Sequence, residues 1–343
     1  MAETPNPTST GWRQELTAWY WPMLGGLAMV LLLQFGVQAL WQWSLPFWLV
    51  IVLYLAFAAG LSSVLGRLAT EHKTEKTPVH PASAWPVSGP IRYLGRYSVL
   101  FTFLPSSLLS ILNPWQLTQQ LKQLAGQAKV HRRMRGHYDE LDSYQNKAVY
   151  RLPFAGEWLI FNGGLTPGTS HSWDVLAQRY AYDFVVADVS FRRHRNQGTR
   201  LADYFCYDAP ILAAADGVVV DIQDGINPAP LVGFAVCDFL CRHFAGNYLV
   251  IQHADGEFGV YAHLIKGSIT CKLGEKVQQG QQIGRCGHTG HSTEPHLHFH
   301  LQDGISLFSS MGLPIRFQDT LVDGEQKTSP VALERGQRVE QPH

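Results

Sequence analysis

Two patterns of apolar and polar positions divide this chain. Residues 16–66 contain no Asp, Glu, Lys, Arg or His. Within that stretch residues 18–41 form a charge-free, mostly apolar run of the length a bilayer-crossing helix needs. Trp19, Tyr20 and Trp21 at one end, and Trp41 and Trp43 at the other, stand where aromatic belts meet the membrane interfaces. Ser44, Leu45 and Pro46 turn the chain, and residues 47–65 form a second span. A charge-free stretch of this length does not suit a water-soluble core, and a cleaved signal peptide is shorter and single.

A polar connector with Arg67, Lys73, Lys76, Arg92 and Arg96 follows. Residues 97–112 are apolar again but short, and Pro105, Ser106 and Ser107 interrupt them. They read as a third, kinked span or as an interfacial segment. Five basic residues favour a cytoplasmic connector. Three spans then carry the rest of the chain out of the cytoplasm, the topology expected here; two spans leave it inside. Residues 113–146 read as a polar helix that includes the basic run His131, Arg132, Arg133 and Arg135, a solvated helix end or a contact for anionic lipid.

From residue 148 the period changes to two. Short runs at 158–161, 181–186, 217–222, 248–253 and 259–264 alternate apolar and polar positions between Gly, Pro, Asn and Asp. Further runs lie at 282–284 and around His296. Many short strands at close spacing predict an all-β sandwich or open barrel. The expected fold class is therefore N-terminal transmembrane helices followed by an all-β domain. The expected division is a disordered 1–15, two transmembrane helices in 16–66, a connector over 67–147, the β domain over 148–310 and a tail over 311–343.

Charge and cysteine usage narrow the classes. Lys plus Arg and Asp plus Glu both number 27, so no bulk charge favours nucleic acid. All five cysteines lie in the second half and none forms a C-x-x-C pair, which argues against a zinc knuckle. Cys237 and Cys241 are spaced to bridge if the domain lies in an oxidising compartment.

The candidate chemistry centres on His296-Leu297-His298-Phe299. On a strand the two histidines share one face and the two apolar residues the other. Such a pair suits a zinc site with one ligand and one acid–base group, although H-x-H alone equally describes two surface histidines. Asp183 alternates with Tyr182 and Phe184, so it points away from them and needs a cation, a metal or water. His263 closes a β run. The loop 287–295 leads into the His296 strand and carries His288 and His291, which read as loop residues within reach of a substrate.

Four stretches in this order resemble the lysostaphin/LytM-type zinc metallopeptidases, peptidoglycan endopeptidases with the duplicated hybrid motif fold. They are Tyr182-Asp183, residues 213–220, residues 246–264 ending in Tyr261-Ala262-His263-Leu264, and residues 273–299 ending in Pro295-His296-Leu297-His298-Phe299. The resemblance covers about residues 160–303 and leaves the membrane segments outside. It implies Asp183 and His298 as zinc ligands, and His263 and His296 as the catalytic histidines that activate water and stabilise the oxyanion. It also implies a peptidoglycan peptide as substrate; with the spans read above, the expectation is a multi-pass protein of the bacterial cell membrane whose catalytic domain faces outward.

The family pattern has a histidine four residues before the aspartate. Here that position is Arg179, which cannot ligate zinc while protonated. His171 is the nearest upstream histidine and is expected to fold back as the third metal ligand. The competing expectation is a degenerate module that binds cell wall or regulates a partner hydrolase. Oligomeric state is not legible.

Overall fold

The computed structural model describes residues 20–70, 89–91 and 99–342. The expectation of disorder for 1–15, and most of the 67–96 connector, lie outside these residues. The chain divides into two compact units, 1–78 and 79–343.

The first unit contains helix α1 (Tyr20–Trp41) and helix α2 (Phe47–Thr70). A β-carbon on Gly26 would stand 2.9 Å from the Ala58 backbone nitrogen, so glycine is what lets the two backbones approach. Within α1, Met23–Leu40 is long and apolar enough to cross a membrane, whereas the apolar run of α2 is Leu49–Ala58. One helix among the described residues therefore meets the span criterion, where two or three spans were expected. Ser62, Ser63 and Arg67 break the apolar character of α2 in its second half.

The second unit opens on a π-helical turn, Val99–Phe103, which leads into helix α3 (Leu104–Leu109) and a turn at Ser110–Leu112. This segment, expected as a span or interfacial element, is tied to the β domain. The Cys237 N–H donates to Ser106 Oγ at 3.0 Å, and Asn113 Nδ2 donates to the carbonyls of Phe239 and Cys241. A segment so bonded does not cross a bilayer on its own. Asn113 also caps helix α4 (Pro114–Met134), accepting the Trp115 N–H at 3.0 Å, with Pro114 in the first helical turn where no backbone donor is missed. Thus α4 belongs to the same compact unit as the β strands, and the domain is mostly β rather than all-β.

The strands are β1 (Glu157–Asn162), β2 (Tyr182–Val185), β3 (Pro210–Leu212), β4 (Gly217–Gln223), β5 (Asn247–Ala254), β6 (Glu257–Leu264), β7 (Lys276–Val277), β8 (Gln282–Arg285) and β9 (Leu297–Gln302). Beyond residue 310 come β10 (Gly312–Leu313), β11 (Thr320–Val322), β12 (Glu325–Lys327) and β13 (Arg338–Glu340). Among the described residues they form an eleven-stranded sheet in the order β12-β11-β13-β1-β2-β9-β6-β5-β4-β7, with β10 added to β9; β3 and β8 pair separately. The region expected as a tail therefore supplies strands, and Phe317 and Leu333 enter the core. Its runs are two or three residues long, too short for alternation to reveal them.

Strand β9 sits between β2 and β6, and all six of its residues are buried. Leu297, Phe299 and Leu301 join Tyr182, Phe184, Tyr261 and Phe317 in the core. Phe299 lies 4.8 Å from the Tyr261 ring centroid, and Phe184 stacks 5.5 Å from Tyr182. The pleat then aims His298, His300 and Gln302 at the opposite face.

Candidate metal centre and cleft

The antiparallel register pairs Asp183 of β2 with His298 of β9, and His298 in turn with Ala262 of β6. Opposed residues on neighbouring strands point the same way, so the carboxylate and the imidazole meet above the sheet. His298 Nδ1 stands 2.9 Å from Asp183 Oδ1. Asn162, paired with Asp183 across β1–β2, donates from Nδ2 to Asp183 Oδ2 at 3.0 Å.

His171 reaches this point from an irregular loop. Its Nε2 lies 3.4 Å from Asp183 Oδ2, with 37% of its side chain exposed at the cleft mouth. One ligand atom each from His171, Asp183 and His298 falls within 4.8 Å of the others, and the same holds for His263, His296 and His298. Arg179 goes elsewhere. Its guanidinium stands 5.1 Å from the Tyr138 ring and 4.8 Å from the Trp173 ring, and its Nε donates to the Trp173 carbonyl. It fastens the loop that carries His171.

Tautomers follow from the partners. A carbonyl only accepts, so a ring nitrogen facing one carries the proton. His263 Nδ1 donates to the Thr289 carbonyl at 2.7 Å, and His296 Nδ1 to the Glu294 carbonyl at 2.8 Å. Both rings, when neutral, keep a lone pair on Nε2. His296 Nε2 lies 3.6 Å from Asp183 Oδ1. His263 holds φ +64°, a left-handed backbone that a side-chain-bearing residue seldom adopts. Its N–H bond to the Ala245 carbonyl at 3.0 Å secures that conformation. Behind His296, the buried Arg193–Glu294 ion pair, 2.8 Å long, anchors the loop whose carbonyl orients the ring.

A second donor chain runs along β9. Gln302 Nε2 donates to the Gly304 carbonyl at 2.7 Å, so Gln302 Oε1 accepts from His300 Nε2 at 3.2 Å. His300 Nδ1 then accepts from His298 Nε2 at 3.1 Å. With a neutral ring, His298 Nδ1 then turns its lone pair to a carboxylate oxygen, a pair of acceptors that a proton or a metal ion has to bridge, and two imidazoles with one carboxylate are a donor set that suits zinc. The residues present fit the metal.

Burial by itself would raise the Asp183 pKa. His171, His296 and His298 outweigh it and hold the carboxyl well below its ordinary value. The His263 pKa is pushed well below 6.5 by burial first and by His296 and His298 next, so this ring is neutral near pH 7.

The site opens into a cleft of about 730 Å³, whose walls include Phe103, Phe161, Phe244, Phe308 and Arg335. His291 also lines it, its Nε2 bonded to Gln116 Oε1 at 2.7 Å. His288 is buried and bonded through Nδ1 to Ser292 Oγ at 2.8 Å. Neither belongs to the two metal-capable groups. All five cysteines are free, so Cys237 and Cys241 are unbridged. The sequence reading missed Asn162, His300, Gln302 and Arg335. His300 and Gln302 continue the period of two from His296 and His298, which is the signal that marks them.

A family model described as Peptidase family M23 matches residues 196–308, a range that holds His263, His296 and His298 but not His171 or Asp183. Over 165 residues the chain is 39% identical to the peptidoglycan DD-endopeptidase ShyA of Vibrio cholerae, covering 48% of this chain and 30% of that protein. Over 173 residues it is 39% identical to the peptidoglycan DD-endopeptidase ShyC of the same organism, covering 46% of this chain and 36% of that protein. The chain thus spans about a third of the length of these curated relatives. The catalytic domain of lysostaphin from Staphylococcus simulans aligns over 51% of this chain and 92% of its own, at 20% identity and a TM-score of 0.26, a score that carries no weight.

Proposed function

We propose that the chain is a zinc-dependent endopeptidase of the M23, LytM/lysostaphin type, that it hydrolyses peptide bonds of bacterial peptidoglycan, and that it is anchored to the cell membrane through α1; the match of residues 196–308 to the M23 family model and the identity to peptidoglycan DD-endopeptidases support this reading. The observation that carries this reading is the convergence of His171, Asp183 and His298 on one point, with His263 and His296 beside it.

In this reading His171, Asp183 and His298 hold the metal. Zinc, when bound, supplies a Lewis acid for the scissile carbonyl and acidifies the attacking water. The Nε2 lone pairs of His263 and His296 face the cleft and receive the proton of that water. A ring so protonated donates to the developing oxyanion or returns the proton to the leaving amine. The carbonyls of Thr289 and Glu294 keep each ring in the tautomer this requires. Asn162 holds the second Asp183 oxygen and so limits rotation of the carboxylate. Phe161, Phe244 and Phe308 keep bulk water from the cleft walls.

Arg179, standing where the family has a histidine, motivates a second reading: a degenerate module that binds cell wall or regulates a hydrolase. His171 supports the enzyme instead, because it supplies the missing nitrogen from a different place in the chain. The test is zinc content and release of soluble peptides from cross-linked peptidoglycan, measured on the detergent-solubilised full chain. Wild type is expected to hold stoichiometric zinc and to hydrolyse. Asp183→Ala loses both, and His263→Ala keeps zinc but loses hydrolysis. A wild-type chain that takes up no zinc when it is supplied, and releases nothing, overturns the enzyme reading in favour of the module.

A further inference from the structure

The helical segment from Phe101 through α4 is built inside out. Its face toward the β domain is mainly polar, with Val130 the apolar residue that joins the core. Ser106, Gln116, Gln119 and Gln127 are all buried, and each is satisfied there. Gln116 Nε2 donates to the Asp238 and Cys241 carbonyls at 2.8 and 3.0 Å, and Gln119 Nε2 to the Arg242 carbonyl at 2.7 Å. Gln127 Oε1 accepts the Leu176 N–H at 2.7 Å, and Ser106 Oγ accepts that of Cys237. The face turned away is apolar. Leu104, Leu108 and Leu112 are exposed, Leu112 to 79%, and on α4 Leu117, Leu121 and Leu124 share one exposed face, with Trp115 exposed on its flank beside Lys122. A surface helix in water carries the reverse arrangement, and apolar rows this long on an outer face mark a surface that meets another phase or partner.

We propose that this face lies in the headgroup–acyl boundary of a lipid bilayer that contains anionic lipid. Charge on the same element favours lipid. Lys122, Lys129 and Arg132 are exposed on α4, while Arg133 beside them is paired with Asp303 at 2.6 Å. Arg242 stands 5.3 Å over the Trp115 ring, a cation beside an amphipathic aromatic of the kind that settles at headgroup depth. The chain also carries, in α1, a run long enough and apolar enough to cross a membrane, in keeping with a lipid partner. The inner face completes the case: Ser106, Gln116 and Gln119 fix α3 and the first turns of α4 to the domain by hydrogen bonds, and apolar packing by Val130 and Met134 enters at the C-terminal end of α4, which leaves the leucines for the outside.

One consequence reaches the cleft. Phe103 and Gln123 line it from the same segment, and Gln116 holds His291 in its wall. A domain seated on lipid through α3 and α4 therefore presents the cleft at a fixed height above the membrane. The inference does not depend on the peptidase reading.

The test places an environment-sensitive fluorophore on Leu112→Cys and on Leu121→Cys, with Glu325→Cys on β12 as control. All three side chains are exposed, so labels displace no packed group, and the native cysteines are buried. The full chain is reconstituted in vesicles of phosphatidylethanolamine and phosphatidylglycerol, with or without brominated acyl chains. Labels at 112 and 121 are expected to shift to the blue and to lose most of their emission to brominated lipid, while the label at 325 keeps its emission. Water-like emission at 112 and 121 overturns the proposal. So does emission shielded from both iodide and brominated lipid, which assigns the face to protein, either a second copy or another part of the chain.

Discussion

His298 and Asp183 are partners in the β2–β9 register, His298 Nδ1 stands 2.9 Å from Asp183 Oδ1, and the His300–Gln302 chain takes the Nε2 proton, which in the neutral ring leaves Nδ1 as the acceptor. His300 thus acts through His298, as a positioning residue for a metal ligand. Replacing it with Phe removes the acceptor for His298 Nε2 and frees the ring to adopt the other tautomer. Zinc affinity is expected to fall about 10- to 100-fold, the usual cost of losing such an outer partner. Competition against a chromophoric chelator reads this directly, and His300→Asn, which retains an acceptor, should recover part of it. Equal affinity for wild type and His300→Phe would remove the positioning role.

The loop that carries His171 makes a second prediction. His171→Ala should lose tight zinc binding. Adding Arg179→His to that variant should not restore it, because the side chain at 179 is directed between Tyr138 and Trp173. Arg179→Ala alone should retain zinc yet destabilise the domain by about 1 kcal/mol, through the lost cation–π contact and the lost bond to the Trp173 carbonyl. Zinc content and urea unfolding of the three variants separate these outcomes. Zinc restored by a histidine at 179 would mean that the loop adopts another conformation.

Glu257 is fully buried and serves as the anchor of the segment before β1. It accepts from Tyr144 Oη at 2.8 Å, the Lys147 N–H at 2.7 Å, the Ala148 N–H at 3.0 Å and Tyr150 Oη at 2.8 Å. Burial first, and the carboxylate next, push the Tyr150 hydroxyl above its ordinary pKa, so it remains a donor. Glu257→Ala takes the acceptor from four donors, of which Tyr150 Oη is fully buried and those of Tyr144 and Ala148 half-buried, and is expected to cost on the order of 3 kcal/mol. Limited proteolysis should then cut near residues 144–150 well before the rest of the domain. Cleavage no faster than in wild type would show that the apolar packing of Tyr150 suffices.

Buried neutral histidines set the acid limit of stability. Burial, and then His296, push the His288 pKa down to about 4 from 6.5. Between those values the unfolded chain binds a proton that the native chain refuses. Stability is therefore complete above about pH 6.5, falls as pH drops through the window, and levels off below about pH 4. The loss from this residue is at most about 3 kcal/mol. His253, pushed to about 4, and His300, pushed to about 3, act with the same sign. Urea unfolding from pH 7 to 4 should show a shallower slope for His288→Gln than for wild type; parallel slopes would exclude His288 as a contributor.

The sequence by itself determined whatever depends on neighbours along the chain. Absence of charge over 16–66 marked the helices α1 and α2, and alternation marked β1, β2, β4, β5, β6 and β9. Period two also settled that His296 and His298 share a face and that Asp183 opposes Tyr182 and Phe184. Tertiary structure decided whatever depends on closure between distant segments. His171 reaches Asp183 only because the loop before β2 folds back and Arg179 pins it between Tyr138 and Trp173. The short strands after residue 310 find partners that local sequence does not show: β13 takes the outer side of β1, β10 takes the end of β9 that β2 leaves uncovered, and β11 and β12 add beyond β13. The glutamines of α4 face inward because their partners are carbonyls of residues 238–242, more than a hundred positions away. Local periodicity fixes which side chains share a face, but what that face meets is set by long-range contacts, where a buried hydrogen bond can outweigh the hydrophobic rule that a helix read alone would follow.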